Sequence, residues 1–249
     1  MIRTITSLQH PIVKHLVKLR QDRNYRYETG SVIVEGNKLI QEIGPKHAIK
    51  TLLALNSDLI PPQLQAAEVF LVNESILEKI SGMHSSEGLI AEIAMPQNAS
   101  LKGKNLILAF DGVSDPGNLG TLLRSGLALG WQGAFILKNC CDPFNDKAIR
   151  AAKGATFSLP IATGTWKDLE KIQKENQLTP FVADIQGTPL NKILKTTNVL
   201  LILSNEAHGP SKQALSFCQP VTIPMSPQME SLNVSAAGAI LMYTLGKIE

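Results

Sequence analysis

Between Asn105 and Pro224 the chain repeats one pattern: a short run of almost wholly apolar residues, then a polar or helical stretch. The runs are NLILAF, GAFIL, PFVADI, NVLLILS and PVTIP. Successive side chains of a strand point to opposite faces, so a strand wet on one side alternates apolar with polar residues. These runs do not alternate, and both of their faces must therefore be covered. Helical segments able to do this lie at 118–129, 145–153, 166–176 and 234–246. The pattern predicts a parallel α/β sheet with helices on both sides. Ligands of such sheets bind beyond the carboxyl ends of the strands. The loops after Phe110, Ser204 and Pro224 are where chemistry is expected.

The first part of the chain alternates differently. SVIVE, KTLLALN, VFLV and GLIAEIA read as strands, with helices at 37–43 and 74–80 between them. The stretch from Met95 to Lys104 is polar, unpatterned and contains Pro and Gly, as a linker does. The expected organisation is a small α/β domain over 1–96, a linker over 97–104 and a larger α/β domain over 105–249.

Charge is unevenly placed. Residues 1–27 hold six Lys or Arg against the single acid Asp22, while the remainder carries 18 bases and 20 acids. His10, Lys14 and Lys18 recur at helical spacing, and Arg20, Arg23 and Arg26 follow at intervals of three. A face of this kind neutralises phosphates and releases counterions, which points to nucleic acid. Cys140, Cys141 and Cys218 are too few and too poorly spaced for a disulfide framework or a zinc site, so no metal is expected. No apolar run approaches the roughly 18 residues that span a bilayer, and the N-terminus lacks a signal-peptide core. A cytoplasmic protein without a membrane partner is the expectation.

Each of the three loops carries polar residues at a helix start. In DGVSDPGNLGTLLRSG, Asn118 reads as a helix N-cap, and Arg124 lies over the small residues Gly120 and Thr121. A guanidinium reaching back toward free helix N–H groups suits phosphate or a developing oxyanion. In SNEAHGPS, Glu206 and His208 follow a strand, and Gly209-Pro210 makes a sharp turn. In IPMSPQMESLNVSAAG, Ser231-Leu232-Asn233 precede a helix that is apolar on nearly all sides and so reads as internal. Singly, each loop also reads as ordinary capping and turn chemistry. The phosphate-loop pattern GxGxxG is absent after the first strand of this half, which excludes an ordinary dinucleotide-binding or Rossmann methyltransferase fold.

Taken together, the loops resemble the three motifs of the SpoU-type (SPOUT class, TrmH-like) RNA ribose 2′-O-methyltransferases. Asn118, Gly120 and Arg124 match the first motif, LLILSNEAHG the second, and Ile223-Pro224-Met225 with Ser231 to Ala236 the third. The opening ITS, the helix with Pro11 and Lys14, and the Glu35-Gly36 turn are similar to the substrate-binding domain that precedes the catalytic domain in many members. Departures are Ser204 where Gly is usual, Ser226-Pro227-Gln228 for a smaller stretch, and His10 for Asn.

The resemblance implies a C-terminal α/β trefoil-knot domain, a homodimer whose active site draws on both subunits, and S-adenosylmethionine as methyl donor. It implies a cofactor site of Ser204, Asn205, Gly209, Ile223, Pro224, Met225 and Leu232. Asn118, Arg124, Glu206, Ser231 and Asn233 would form the catalytic group, with Arg124 favouring the ribose alkoxide electrostatically, since a guanidinium is almost never neutral. Lys14, Lys18, Arg20, Arg23 and Arg26 would contact RNA. Ribosomal RNA is the expected substrate because of the added N-terminal domain. Transfer RNA, or an RNA-binding member without catalysis, are the alternatives.

Overall fold

A computed structural model of the chain describes residues 2–194, 196–205 and 208–246. Two compact units are present: Met1–Gln97 with Phe144–Gly154, and Asn98–Pro143 with Ala155–Glu249.

The first unit holds, in chain order, β1 (Ile2–Ile5), α1 (Pro11–Gln21), α2 (Arg23–Thr29), β2 (Ser31–Glu35), α3 (Asn37–Ile43), β3 (Ile49–Ala54), β4 (Ala66–Val72), α4 (Glu74–Ser81) and β5 (Leu89–Ala94). The sheet order is β1-β4-β3-β5-β2, with β5 antiparallel to both neighbours and the other pairs parallel. Helix α1 starts where Pro11 occupies its first turn and His10 Nδ1 accepts from Ile12 N at 3.2 Å. Val13, Leu16 and Leu19, three apart, turn into a core with Ile76, Leu77 and Ile80 of α4, leaving Lys14 and Lys18 outside. Asp22 ends α1 in an extended conformation and caps α2 by accepting from Tyr25 N at 3.1 Å. The basic run is thus two helices, not one continuous face. Strand β1 was not anticipated, being four residues long with three of them exposed.

The second unit is a six-stranded sheet, wholly parallel as expected. It comprises β6 (Leu106–Asp111), α5 (Pro116–Ala128), β7 (Gly133–Leu137), α7 (Ala155–Ser158), β8 (Ile161–Gly164), α8 (Trp166–Glu175), β9 (Thr179–Pro189), β10 (Val199–Ser204), α9 (Lys212–Phe217), β11 (Gln219–Thr222) and α10 (Val234–Gly246). The strand order is β11-β9-β10-β6-β7-β8. Leu169 of α8 and Ala214 of α9 cover one face with Ile107, Ala109, Leu200 and Ile202. Helices α5 and α10 pack on the other, so tightly that Gly238 has no room for a β-carbon against Leu122 and Leu203.

Two expectations are corrected here. The segment 145–153 does form a helix, α6 (Asp146–Ala152), but it belongs to the first unit rather than to a continuous 105–249 domain. Its buried stripe of Ala148, Ile149 and Ala152 packs with β2, and Phe144 meets the Tyr27 ring edge-on at 6.4 Å. Nor is α10 internal all round. Val234, Ser235, Gly238, Leu241 and Met242 are buried, but Ile240 is 42% and Tyr243 72% exposed.

Candidate active site

Parallel strands bring their carboxyl ends to one edge, and there β9, β10 and β11 enclose a cavity of about 540 Å³ with the start of α10. Ser204, Asn205, Gly209, Ile223, Met225 and Leu232 line it, as does Ser231, so loops widely separated in sequence meet at one place. Pro224 is exposed and is not on the wall. Glu206 lies outside the described residues.

The loops are tied together by side chains. Asn205 Nδ2 donates to Gly112 O at 3.1 Å and Ser114 Oγ at 3.4 Å, while its Oδ1 accepts from His208 N at 3.2 Å. Gly112 can turn here because its φ of +76° costs no β-carbon clash. Asn118 Oδ1 accepts from Ser235 Oγ at 2.9 Å and from Asn233 Nδ2 at 3.2 Å, joining the start of α5 to the start of α10. Asn233 Oδ1 in turn accepts from Ser235 N at 2.9 Å, an N-cap for α10. The N-cap of α5 is Asp115, not Asn118: its Oδ1 accepts from Asn118 N at 2.8 Å, and Pro116 opens the helix.

That earlier start changes the geometry around Arg124. It lies eight residues after Pro116, about 12 Å along the helix axis, rather than six residues after the cap expected at Asn118. Arg124 is exposed and does not line the cavity. Asn118 and Asn233 are likewise not on its wall, although their hydrogen bond stands beside Ser231 and Leu232, which are.

Beneath the loops, Asp111 is buried on β6, in register with Ser204 on β10. Asp111 Oδ1 accepts from Asn139 Nδ2 at 2.8 Å, whereas Asp111 Oδ2 and Ser204 Oγ have no partner among the described residues. Burial pushes the Cys140 thiol up to about 11 and those of Cys141 and Cys218 up to about 12. Among the described residues no group of three His, Cys, Asp or Glu could hold a metal ion. Nor is any helix among them long and apolar enough to cross a membrane.

On the first unit, Lys14, Lys18 and Arg23 line an open cleft together with Lys79, contributed by α4. The Lys18 ammonium sits 4.1 Å above the centre of the Tyr25 ring. Tyr25 is held from below by a buried chain: its hydroxyl meets His15 Nδ1 at 2.9 Å, His15 Nε2 meets Glu92 Oε1 at 3.2 Å, and Thr51 donates to Glu92 Oε2 at 2.9 Å. Arg26 is not on this surface. It is 3% exposed, and its guanidinium donates to Leu19 O at 2.8 Å and Arg20 O at 2.9 Å, closing the carboxyl end of α1. The break at Asp22 turns it inward. Arg20 is half-buried and packs against Gly82.

The comparisons with known proteins agree with this architecture. Residues 105–243 match the model of the SpoU rRNA Methylase family, and residues 10–91 that of the MRM3-like substrate binding domain. The AdoMet-bound rRNA methyltransferase of Sinorhizobium meliloti superposes with a TM-score of 0.85 at 26% identity, over 98% of this chain and 97% of that one. An uncharacterized tRNA/rRNA methyltransferase of Synechocystis sp. is 31% identical over 97% of this chain and 93% of its own length. The 23S rRNA (guanosine(2553)-2′-O)-methyltransferase RlmP of Bacillus subtilis is 27% identical over 98% and 99%. The fold is that of an α/β methyltransferase with a cavity at the carboxyl edge of its parallel sheet. The chain belongs to the SpoU rRNA methylase family, whose members are S-adenosylmethionine-dependent RNA methyltransferases.

Proposed function

We propose that the protein transfers a methyl group from S-adenosylmethionine to a ribose 2′-hydroxyl of ribosomal RNA, and that it does so as a homodimer. The observation that carries the cofactor assignment is the single cavity lined by six of the seven residues expected to hold it. Ser204 is one of these residues, although its hydroxyl is itself buried and has no partner among the described residues. Bound S-adenosylmethionine supplies a methyl group activated by positive sulfur.

This chain's own residues do the rest. The walls from β9, β10, β11 and α10 position the donor. Asn118, Asn233 and Ser235 fix the start of α10, and with it Ser231 and Leu232. Arg124 stabilises charge developing on the ribose oxygen, or grips the adjoining phosphate. It is off the cavity wall, and the dimer accounts for that. The outward sides of α5 and α10 carry Leu127, Ile240 and Tyr243, an apolar surface suited to a second copy. Arg124 is exposed on the same helix as Leu127, so a second copy seated there can bring Arg124 to the neighbouring site. The knotted path implied by the resemblance belongs with this reading.

Substrate RNA docks on the cleft of Lys14, Lys18, Arg23 and Lys79, which suits phosphates. Mapping ribose methylation in ribosomal and transfer RNA from cells with and without the protein tests the assignment. One 2′-O-methyl site in ribosomal RNA should vanish in its absence. A change confined to transfer RNA refutes the substrate. Arg124→Ala should retain fold and cofactor binding but lose methyl transfer by at least about a hundredfold; near-normal turnover would sink its role.

A further inference from the structure

The cavity wall carries charge opposite to that of the chain. Two carboxylates line it, Asp184 on β9 and Glu230 ahead of α10, and no described Lys or Arg does. Neither acid is neutralised locally. Asp184 Oδ1 accepts from Gln186 N at 2.9 Å, and among the described residues neither carboxylate is in a salt bridge. Behind the wall, Asp111 adds a third carboxylate, buried in register with Ser204 and with one oxygen unpartnered.

A methyl donor and its spent form differ at this place by one charge. In the transfer the methyl carbon gains a bond to the ribose oxygen as its bond to sulfur breaks. The electron pair stays on sulfur, and the hydroxyl proton passes to solvent. A sulfonium thereby becomes a neutral thioether, while the adenosine and amino-acid parts are unchanged. A negative wall lowers the free energy of the first relative to the second through the field in the cavity, without needing any one contact.

We propose that Asp184 and Glu230 are specificity determinants that make the cavity prefer S-adenosylmethionine over S-adenosylhomocysteine, so that transfer itself loosens the spent cofactor. The proposal rests on reading the cavity as the cofactor site. Both side chains are in contact with solvent, so each contributes modestly, about threefold in the ratio of the two affinities and about tenfold for the pair.

Isothermal titration of both ligands into the full chain, Asp184→Asn, Glu230→Gln and the double variant, at low and high salt, tests it. The expected result is a preference for the sulfonium in the parent that drops about tenfold in the double variant and narrows with salt. Asp184→Glu should keep the parent ratio. An unchanged ratio in the double variant, with both ligands still binding, overturns the proposal and leaves the cofactor site standing. Binding of neither ligand to the parent overturns the cofactor site itself, and the proposal with it.

Discussion

Asn118 stands in the first family motif, yet the structure gives it mechanical work that can be measured apart from catalysis. Its Oδ1 accepts from Ser235 Oγ at 2.9 Å and from Asn233 Nδ2 at 3.2 Å. Asn118→Ala removes this acceptor. Ser235 is only 9% exposed, so its hydroxyl loses a partner where water replaces it poorly, at a cost of about 1–2 kcal/mol. Asn233 is exposed and its amide can turn to water, but it is also the N-cap of α10. Loosening that cap adds up to about 1 kcal/mol. The sum, about 1–3 kcal/mol, lowers the melting temperature of the methyltransferase unit by about 3–9 °C. Asn118→Asp keeps an acceptor in the first turn of α5, where negative charge is favoured, and should stay close to the parent. Circular dichroism melts of both variants, with and without S-adenosylmethionine, are the assay. A double-mutant cycle with Ser235→Ala should show a coupling of about 1 kcal/mol. An alanine variant as stable as the parent, or an aspartate variant as damaged as the alanine one, refutes the reasoning.

Lys79→Ala should weaken RNA binding and lower its salt slope by about 1, whereas Arg26→Ala should unfold the first unit at lower temperature; filter binding across a salt series and thermal melts separate the two. Ile240→Asp combined with Tyr243→Asp places charge in the apolar outward face of α10, and sedimentation should show monomers without methyl transfer; an active monomer defeats the dimeric site. Burial raises the Glu35 carboxyl above its usual range, with Arg150 offsetting part of the shift. A carboxyl raised in the folded state costs stability as pH climbs from its unfolded value through the folded one. Glu35→Gln should therefore gain on the parent as pH rises above the unfolded carboxyl value of about 4.3, and a difference in melting temperature that does not change with pH would show that desolvation is not the cause.

The apolar runs at 105–224 announced the sheet because strands covered on both faces cannot alternate, and that signal is local. Strands β1 and β8 escaped because neither is an apolar run: β1 reads IRTI and β8 IATG, each broken by polar or small residues. Helical periodicity gave α6 its buried stripe but not the unit that covers it, since a stripe says which side is apolar and not what it meets. The same limit governs Arg26: three-residue spacing placed it with Arg20 and Arg23, until the extended Asp22 reset the helix phase. In the site, parallel strands sending their carboxyl ends to one edge pointed to the loops after Ser204 and Pro224, and the resemblance to the SpoU-type motifs, not the geometry, supplied Ser204, Asn205, Gly209, Ile223, Met225, Ser231 and Leu232 by number. Asp184 and Lys79 carried no signal of their own. They matter only through what the topology sets beside them.

Those two residues show why net charge is a poor guide to this chain's ligands. The value of +3 is the balance of 24 bases and 21 acids over the whole chain, and it hides four bases on one cleft and two acids on one cavity. A polyanion calls for the first arrangement, since phosphates are held by many weak contacts that exchange with counterions. A sulfonium calls for the second. An evenly mixed surface with the same total would suit neither, because opposite charges interspersed at the Debye length cancel one another's field. If the cavity and the cleft are the two proposed sites, charge reversal at Asp184 should weaken S-adenosylmethionine binding and charge reversal at Lys79 should weaken RNA binding, each more than the same change made on the outer face of α8.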